Sequence, residues 1–428
     1  MSDEKIIRVN HVTRVEGHGN INVKIRDGNV EECEWQVTEA PRFFEAMLRG
    51  RRWYEVSHIT ARICGICSIG HTLTSVKATE AAMGVTVTEQ TEILRKILVH
   101  AETLQSHILH FGYLALPDLA GVPSVVPLAA THKDKVLLVI KLHRLANEMS
   151  DLLGGRTTHP QRPVVGGFTK WPTVEELEGL RKRIEDAIPE LEALASFVKE
   201  LAGNIPDFQR ETEYIGLTHS DEYAFYDGKI ASTDGGTWPV EEYKEICGEY
   251  MVPQSTAKFA RHNRDSYMVG ALARVNLNYD QLTPKAGEVS ELFGLKPVNF
   301  NPYMNNVAQL VECMHGLEDS IRLIDRLLEK GLQDEKPVFT LKAGRGSASV
   351  EVPRGILFHE YEYNKDGECV WANIVIPTNQ NHGNIQKDFE DLVPRIKDES
   401  EERIEIMLEM LVRAYDPCIS CSTHCIFL

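Results

Sequence analysis

The chain has no apolar run of about 18 residues, the length a helix needs to cross a bilayer, so no transmembrane span is expected. Its start, MSDEKIIRVN, lacks a basic segment leading into an apolar one, so no secretory signal is expected. Positive charge is scarce: 46 Lys and Arg stand against 63 Asp and Glu, a formal net charge of −17. Nucleic-acid phosphates are held by basic stripes, so a nucleic-acid partner is excluded. No G-x-G-x-x-G opens a strand–turn–helix unit, so this chain should not bind a dinucleotide itself. Internal repeats and low-complexity tracts are missing. Cysteine is sparse and odd in number, nine in 428 residues. A reduced cytoplasmic chain whose cysteines bind metal or lie buried explains that better than a disulfide framework.

What is present suits a large core, since 43% of the residues are apolar. Residues 6–40 read as strands: IIRVNHV and NINVKI alternate, and Asp27-Gly28-Asn29 turns into VEECEWQV. Helical spacing runs from Phe43 to about Leu114, broken at residues 64–67, and again through KDKVLLVIKLHRLANEMSDLLGG to Gly154 and Gly155. HPQRPVVGGF reads as an ordered loop, and Thr173 to Leu201 as a solvated outer helix pair. VAQLVECMHGLEDSIRLIDRLLEKG is a core-facing helix. A second hairpin is expected at 348–377, turning at Asn364-Lys365-Asp366-Gly367, before the helix EERIEIMLEMLVRAY. The expected fold is α+β and predominantly helical: a large central helix bundle, with small β elements near the N-terminus and before the C-terminal motif. We read 1–428 as one domain, with a β region at 1–40, a helical core at 41–210, a mixed insert at 211–300 and a closing part at 301–428.

Two cysteine pairs carry the chemistry. Arg62-Ile-Cys64-Gly-Ile-Cys67-Ser-Ile-Gly-His71 lies early, and Asp416-Pro-Cys418-Ile-Ser-Cys421-Ser-Thr-His424 closes the chain. Two-residue spacing lets both sulfurs of a pair face one ion, and four thiolates suit zinc, an iron–sulfur cluster or a thiophilic nickel or copper ion. A structural zinc site usually closes pairs about 15–20 residues apart. Here residues 68–417 separate the pairs, and a chain of this size needs no metal to fold. A four-iron cluster could also use four cysteines, and Cys418, Cys421 and Cys425 form a local trio, which we read as coincidence. Cys33, Cys247, Cys313 and Cys369 have no partner motif and read as small buried apolar residues.

These paired motifs resemble the signatures of nickel–iron hydrogenase large subunits. Further motifs follow in the family's order over nearly the whole chain: Arg14-Val-Glu16-Gly17-His18, Arg42-x-x-Glu45, His159-Pro160 with Gly166-Gly167, Pro353-Arg354-Gly355 and Pro377-Thr378. The resemblance implies a nickel–iron centre whose iron carries carbon monoxide and cyanide. Cys64 and Cys418 would bind nickel terminally, and Cys67 and Cys421 would bridge the metals. It implies Glu16 as proton acceptor from Cys418, for which a low-dielectric setting and a raised pKa are expected. Arg354 would hang over the open metal position; without the resemblance it reads as a surface arginine in a turn. Asp416 would orient Arg354 or cap the turn before Cys418. Pro353 and Thr378 would line the cyanide and carbonyl pocket, Thr378 as donor, and His71 would reach the Cys67 sulfur or fill a core position. Glu45, the backbone carbonyl near Ile374 and His424 match a site for a magnesium-type ion, with a solvent-facing Glu45 as the plain alternative.

The sequence departs from many membrane-linked members before His107, where a contact near the active site would differ. It departs from the periplasmic ones after Pro377, which with the length and the lack of export signals resembles the soluble, NAD(P)-linked or similar branch. Ser106 replaces an aspartate before His107, and Thr378-Asn-Gln-Asn381 follows Pro377. The activity implied is reversible heterolytic cleavage of H2. Electrons would leave through an iron–sulfur small subunit, then flavin subunits using NAD(P) or ferredoxin. Nickel chaperones and a maturation endopeptidase cutting after His424 are implied too, and Cys425–Leu428 would be the removable tail. A hydrogen-sensing regulator or a non-catalytic subunit like the quinone-site subunit of complex I is the alternative.

Overall fold

Apolar residues at helical spacing build four long helices: Glu89–Leu109, Lys133–Gly154, Val174–Leu201 and Asn305–Lys330. In the computed structural model, which describes residues 4–423, each packs against two of the others and the four close into a bundle. Their ends follow local chemistry. The Thr88 hydroxyl accepts the Thr91 N–H, Thr173 and Glu176 form a reciprocal capping box, and left-handed Gly155 stops the second helix. On Asn305–Lys330, Val307, Leu310, Val311, Met314, Leu317, Ile324 and Leu327 are buried, each contributing about 1.5–3 kcal/mol. Its N-terminal half is enclosed on all sides, so Gln309 and Glu312 are buried as well.

The segment from Thr173 onward is one helix rather than the expected pair. Its stripe of Leu177, Leu180, Ile184, Leu191, Leu194 and Val198 continues across Pro189, and burial of that stripe outweighs the hydrogen bond the proline removes. HPQRPVVGGF is more regular than a loop: Pro163–Val164 pairs antiparallel with Gly167–Phe168. The insert contributes a four-stranded sheet built on Glu213–Thr218.

Two antiparallel three-stranded sheets frame the bundle. The first contains Glu4–Val9, Gly19–Arg26 and Asn29–Val37. Its second turn, Asp27-Gly28, has φ of 49° and 77°, the left-handed pair that matches strand twist. The other contains Gly344–Val352, Gly355–Tyr363 and Cys369–Val375, two consecutive hairpins where one was expected. The missed strand begins with small and polar residues, Gly344-Arg-Gly-Ser-Ala-Ser349, and shows no alternation. The extra turn is only Pro353-Arg354, between paired Val352 and Gly355. This sheet packs on the helix Ser68–Met83.

Helix Pro377–Ile396 joins the chain's two ends. The Trp35 N–H donates to Gln386 Oε1 at 2.8 Å and the Trp35 indole to His382 Nδ1 at 3.0 Å. His382 Nε2 in turn faces Ser422 Oγ at 2.9 Å. Among the described residues, no helix is long and apolar enough to cross a membrane.

Burial lowers the His382 pKa from 6.5 to about 3. The unfolded chain therefore binds the extra proton between those values, so stability is full above pH 6.5 and declines as pH falls toward 3. We expect His382→Gln to flatten the fall of melting temperature between pH 6.5 and 4; an unchanged slope in thermal melts would contradict this assignment.

Candidate metal centre

The first cysteine pair lies where a loop becomes a helix. Cys67 caps Ser68–Met83, and its N–H donates to Cys64 Sγ at 3.1 Å. The second pair lies beyond the last helix, Glu401–Ala414, with Cys421 in the single turn Ser420–Thr423. The Cys418 N–H donates to Thr378 Oγ1 at 3.1 Å. Cys64 Sγ is 3.3 Å from Cys418 Sγ, and the sulfurs of Cys64, Cys418 and Cys421 lie within 4.8 Å of one another, all buried. Those of Cys418 and Cys421 are in bonding contact. Cys67 stands beside Cys64: hydrogen bonding from its thiol holds the Cys64 pKa below the ordinary thiol value against the effect of burial, and the same bond together with burial pushes its own well up. Four buried sulfurs on two remote segments fit a soft, multi-thiolate metal site.

Backbone contacts hold the segments together. Ile419 N–H donates to Glu16 O at 2.9 Å, and residues 16 and 418 form a parallel bridge. The Glu16 carboxylate accepts from Ser420 N at 3.1 Å and from the Ser420 hydroxyl. Gly17, at φ 86°, lies so close that a Cβ would stand 2.7 Å from Ser420 N, which only glycine permits. Arg42 spans both pairs: its N–H donates to Thr423 O and its guanidinium to Ile63 O, each at 2.8 Å. Glu16 is half-buried, so the sealed low-dielectric setting expected for it is not what the chain builds. Arg14 pairs with Asp118, leaving Glu16 to Ser420.

Arg354 is buried at the tip of the Pro353-Arg354 turn, which excludes an ordinary surface arginine. Its Nε donates to Asp416 O and its Nη2 to Asp416 Oδ1, both at 2.6 Å. Nη1 donates to Cys67 Sγ and to Ser106 Oγ, both at 3.2 Å. Ser106, which departs from the family pattern, therefore contacts the guanidinium directly. Gln309 Nε2 holds the other Asp416 oxygen at 3.0 Å.

The remaining candidates fall at varied places. Thr378 sits in the first turn of Pro377–Ile396 and accepts from Cys418, keeping its own hydroxyl proton for donation. Pro353 presents its carbonyl to Arg274 at 3.0 Å. His71 stands on the helix after Cys67 with Nδ1 3.1 Å from His359 Nε2. Glu45 is buried, not solvent-facing, and its carboxylate accepts the Ile374 N–H at 2.8 Å. Burial raises its pKa. His424 and the tail Cys425–Leu428 lie outside the described residues.

Sequence reasoning missed Ser420, Gln309 and Glu102. Glu102 accepts from Ile69 N at 2.7 Å and Gly70 N at 2.9 Å, capping the helix that opens at Cys67. Burial pushes its pKa up to about 8. One signal was available, since Glu102 lies four residues before Ser106 on the same helix face.

Residues 42–136 and 207–424 match the family described as nickel-dependent hydrogenase, and residues 6–40 match one described as HoxL-like. The chain belongs to the nickel-dependent hydrogenases. It is similar to the alpha subunit of sulfhydrogenase 1 from Pyrococcus furiosus, 34% identical over 99% of this chain and 98% of that one. The vhc F420-non-reducing hydrogenase of Methanococcus voltae has a chain 30% identical, with 98% of this chain and 95% of that one covered. Among solved structures, an NAD+-reducing [NiFe]-hydrogenase in the H2-reduced state superposes with a TM-score of 0.87 at 27% identity, covering 98% of this chain and 99% of that one. The [NiFeSe]-hydrogenase of Dm. baculatum, at 23% identity, shares the fold with a TM-score of 0.78, covering 98% and 100%.

The sulfur cluster leads to a direct expectation for this hydrogenase chain. Cys64→Ser or Cys421→Ser should lower nickel retention at least about tenfold, measured by elemental analysis of purified protein. Equal nickel in either variant would remove that cysteine from the ligand set.

Proposed function

We propose that this chain is the catalytic large subunit of a cytoplasmic, multi-subunit nickel–iron hydrogenase that passes electrons to an iron–sulfur partner, then on to NAD(P) or ferredoxin. The observation that carries the reading is the convergence of the Cys64, Cys418 and Cys421 sulfurs with Cys67 beside them. The electron route is supported by similarity to a relative named as an NAD+-reducing enzyme and to the alpha subunits of two sulfhydrogenases. In this reading Cys64, Cys67, Cys418 and Cys421 would hold the nickel, with Cys67 and Cys421 also holding an iron that would carry carbon monoxide and cyanide. When bound, such a centre supplies the Lewis acid that polarises H2.

The chain's own groups do the rest. Cys418 takes the proton and hands it to Glu16, whose carboxylate is joined to the same segment through Ser420. Half-buried, Glu16 can exchange that proton outward, which a sealed carboxylate could not. Arg354 keeps a fixed positive charge against Cys67, and Asp416 holds the guanidinium at two points. Thr378 and Pro353 line the iron side. Glu45 and the Ile374 carbonyl would serve a second site for a magnesium-type ion, whose expected ligand His424 lies outside the described residues, and maturation would call on nickel chaperones and an endopeptidase.

Infrared spectra of the purified complex should show carbonyl and cyanide stretches, with nickel by elemental analysis; zinc alone would end the reading. Reduction of NAD+, NADP+ or ferredoxin under H2 decides the acceptor. Glu16→Gln should lower H2 oxidation about 100-fold or more while nickel and the infrared bands persist. Full activity in that variant would exclude Glu16 as the relay.

A further inference from the structure

Arg274 has no role in the reading above, yet it is among the most completely buried side chains. It lies on the helix Ala271–Asn278, and all five of its guanidinium N–H groups are used. Nε and Nη2 donate to the two Glu312 oxygens at 2.6 and 2.7 Å, and Nη1 to Glu351 Oε2 at 2.8 Å. The other two protons go to backbone: Nη1 to Val352 O at 2.9 Å and Nη2 to Pro353 O at 3.0 Å. Those two carbonyls immediately precede Arg354. The helix approaches closely enough that a Cβ on Gly355, at φ 133°, would stand 2.9 Å from Gly270 N.

We infer that Arg274 is a positioning residue: it clamps the two-residue turn that carries Arg354, and the Glu312 carboxylate anchors the clamp. Glu312 reaches Arg354 by a second route as well. His107 Nε2 lies 2.7 Å from Glu312 Oε2, and Ser106, next in the chain, accepts from Arg354 Nη1. Tyr223 Oη donates to Glu312 Oε1 at 2.8 Å. Although burial alone would raise it, Arg274 and His107 hold the Glu312 pKa down to about 2, so the anchor stays charged. Both supports of Arg354, the turn below it and the helix beside it, therefore converge on one carboxylate. Lysine cannot replace Arg274, because it lacks the planar five-donor fork.

The test compares the assembled complex carrying Arg274→Lys, Arg354→Lys or both. Displacement of a guanidinium by about 1 Å costs roughly tenfold to hundredfold in turnover. We expect Arg274→Lys to lower kcat by that amount with nickel content and the KM for H2 retained. In the Arg354→Lys background the same change should cost less than about twofold, because the group it positions is already gone. Losses that multiply in the double variant would overturn the inference. A second readout needs no turnover: in the metal-free chain, amide hydrogen exchange of a peptide spanning 350–356 should quicken in Arg274→Lys while helix 305–330 stays protected. Unchanged exchange at 350–356 also overturns it. If Arg274→Lys does not fold, Glu351→Gln, which keeps an acceptor facing the guanidinium, carries the same measurements at smaller size. The turnover arm rests on the hydrogenase reading; an unaltered complex without H2 turnover would count against that reading, leaving the exchange result to decide this one.

Discussion

A guanidinium out of reach of water persists only when its charge is matched and its donors are occupied, and Arg354 meets that condition through Asp416. Breaking a buried pair of this kind costs about 3–5 kcal/mol, because the surviving charge is left unpaired. Asp416 offers its backbone carbonyl and its carboxylate to the same guanidinium while sitting in the left-handed region at φ 50°. That unusual backbone state ends the last helix and directs the chain into Pro417 and Cys418. The ion pair thus fixes two things at once, the place of the positive charge and the path of the second cysteine pair. Gln309, from the enclosed N-terminal half of Asn305–Lys330, holds the remaining Asp416 oxygen, so the core itself sets the orientation.

The two sides of the sulfur row differ in charge and in access. Cys67 faces a buried cation, and its helix is capped by Glu102, a carboxylate sealed from solvent. Cys418 faces the Glu16 segment, where the carboxylate keeps a path outward. The backbone hydrogen bonds that Glu102 accepts from Ile69 and Gly70 account for its place as that cap. Of these two carboxylates, Glu16 is the one that reaches solvent. The fixed cation lies where water is excluded, and the accessible carboxylate where it is not.

Much of this was readable from the sequence, for identifiable reasons. The cysteine pairs lie in short motifs whose spacing is itself the signal, whereas Glu16, Arg354 and Asp416 are singled out by the resemblance to hydrogenase large subunits and not by spacing. The bundle helices follow from apolar periodicity, and the turn at Asp27-Gly28 from its residue types. What escaped depends on long-range partners. Arg274 and Glu312 belong to none of the motifs singled out in the sequence, and only the packing of distant segments buries them together. The Gly344–Val352 strand begins with small polar residues because it lies against the helix Ser68–Met83, where a Cβ on Gly346 would meet backbone at 2.2 Å. Strand propensity there yields to close approach. The helix through Pro189 shows the converse, a local breaker overruled by a continuous buried stripe.

A metal held by residues from both ends of a chain can be a staple or a reagent, and the contacts around it distinguish the two. A staple is needed where nothing else joins the segments, as in small zinc domains that unfold without their ion. Here the closing segment is tied to the body by many bonds independent of sulfur. They include Ile419 N–H to Glu16 O, Arg42 N–H to Thr423 O, Asn379 to Ser422 O at 2.9 Å, and His382 to Ser422. Tyr415 adds a bond to Asp388 one residue before the Asp416 turn. Each contributes about 1 kcal/mol, and together they position residues 415–423 whether or not the thiolates hold an ion. The fold therefore has little need of the metal for its stability. It brings four soft donors, a fixed cation and an accessible carboxylate to one place, an arrangement that structural zinc does not require and that splitting H2 into two protons and two electrons does.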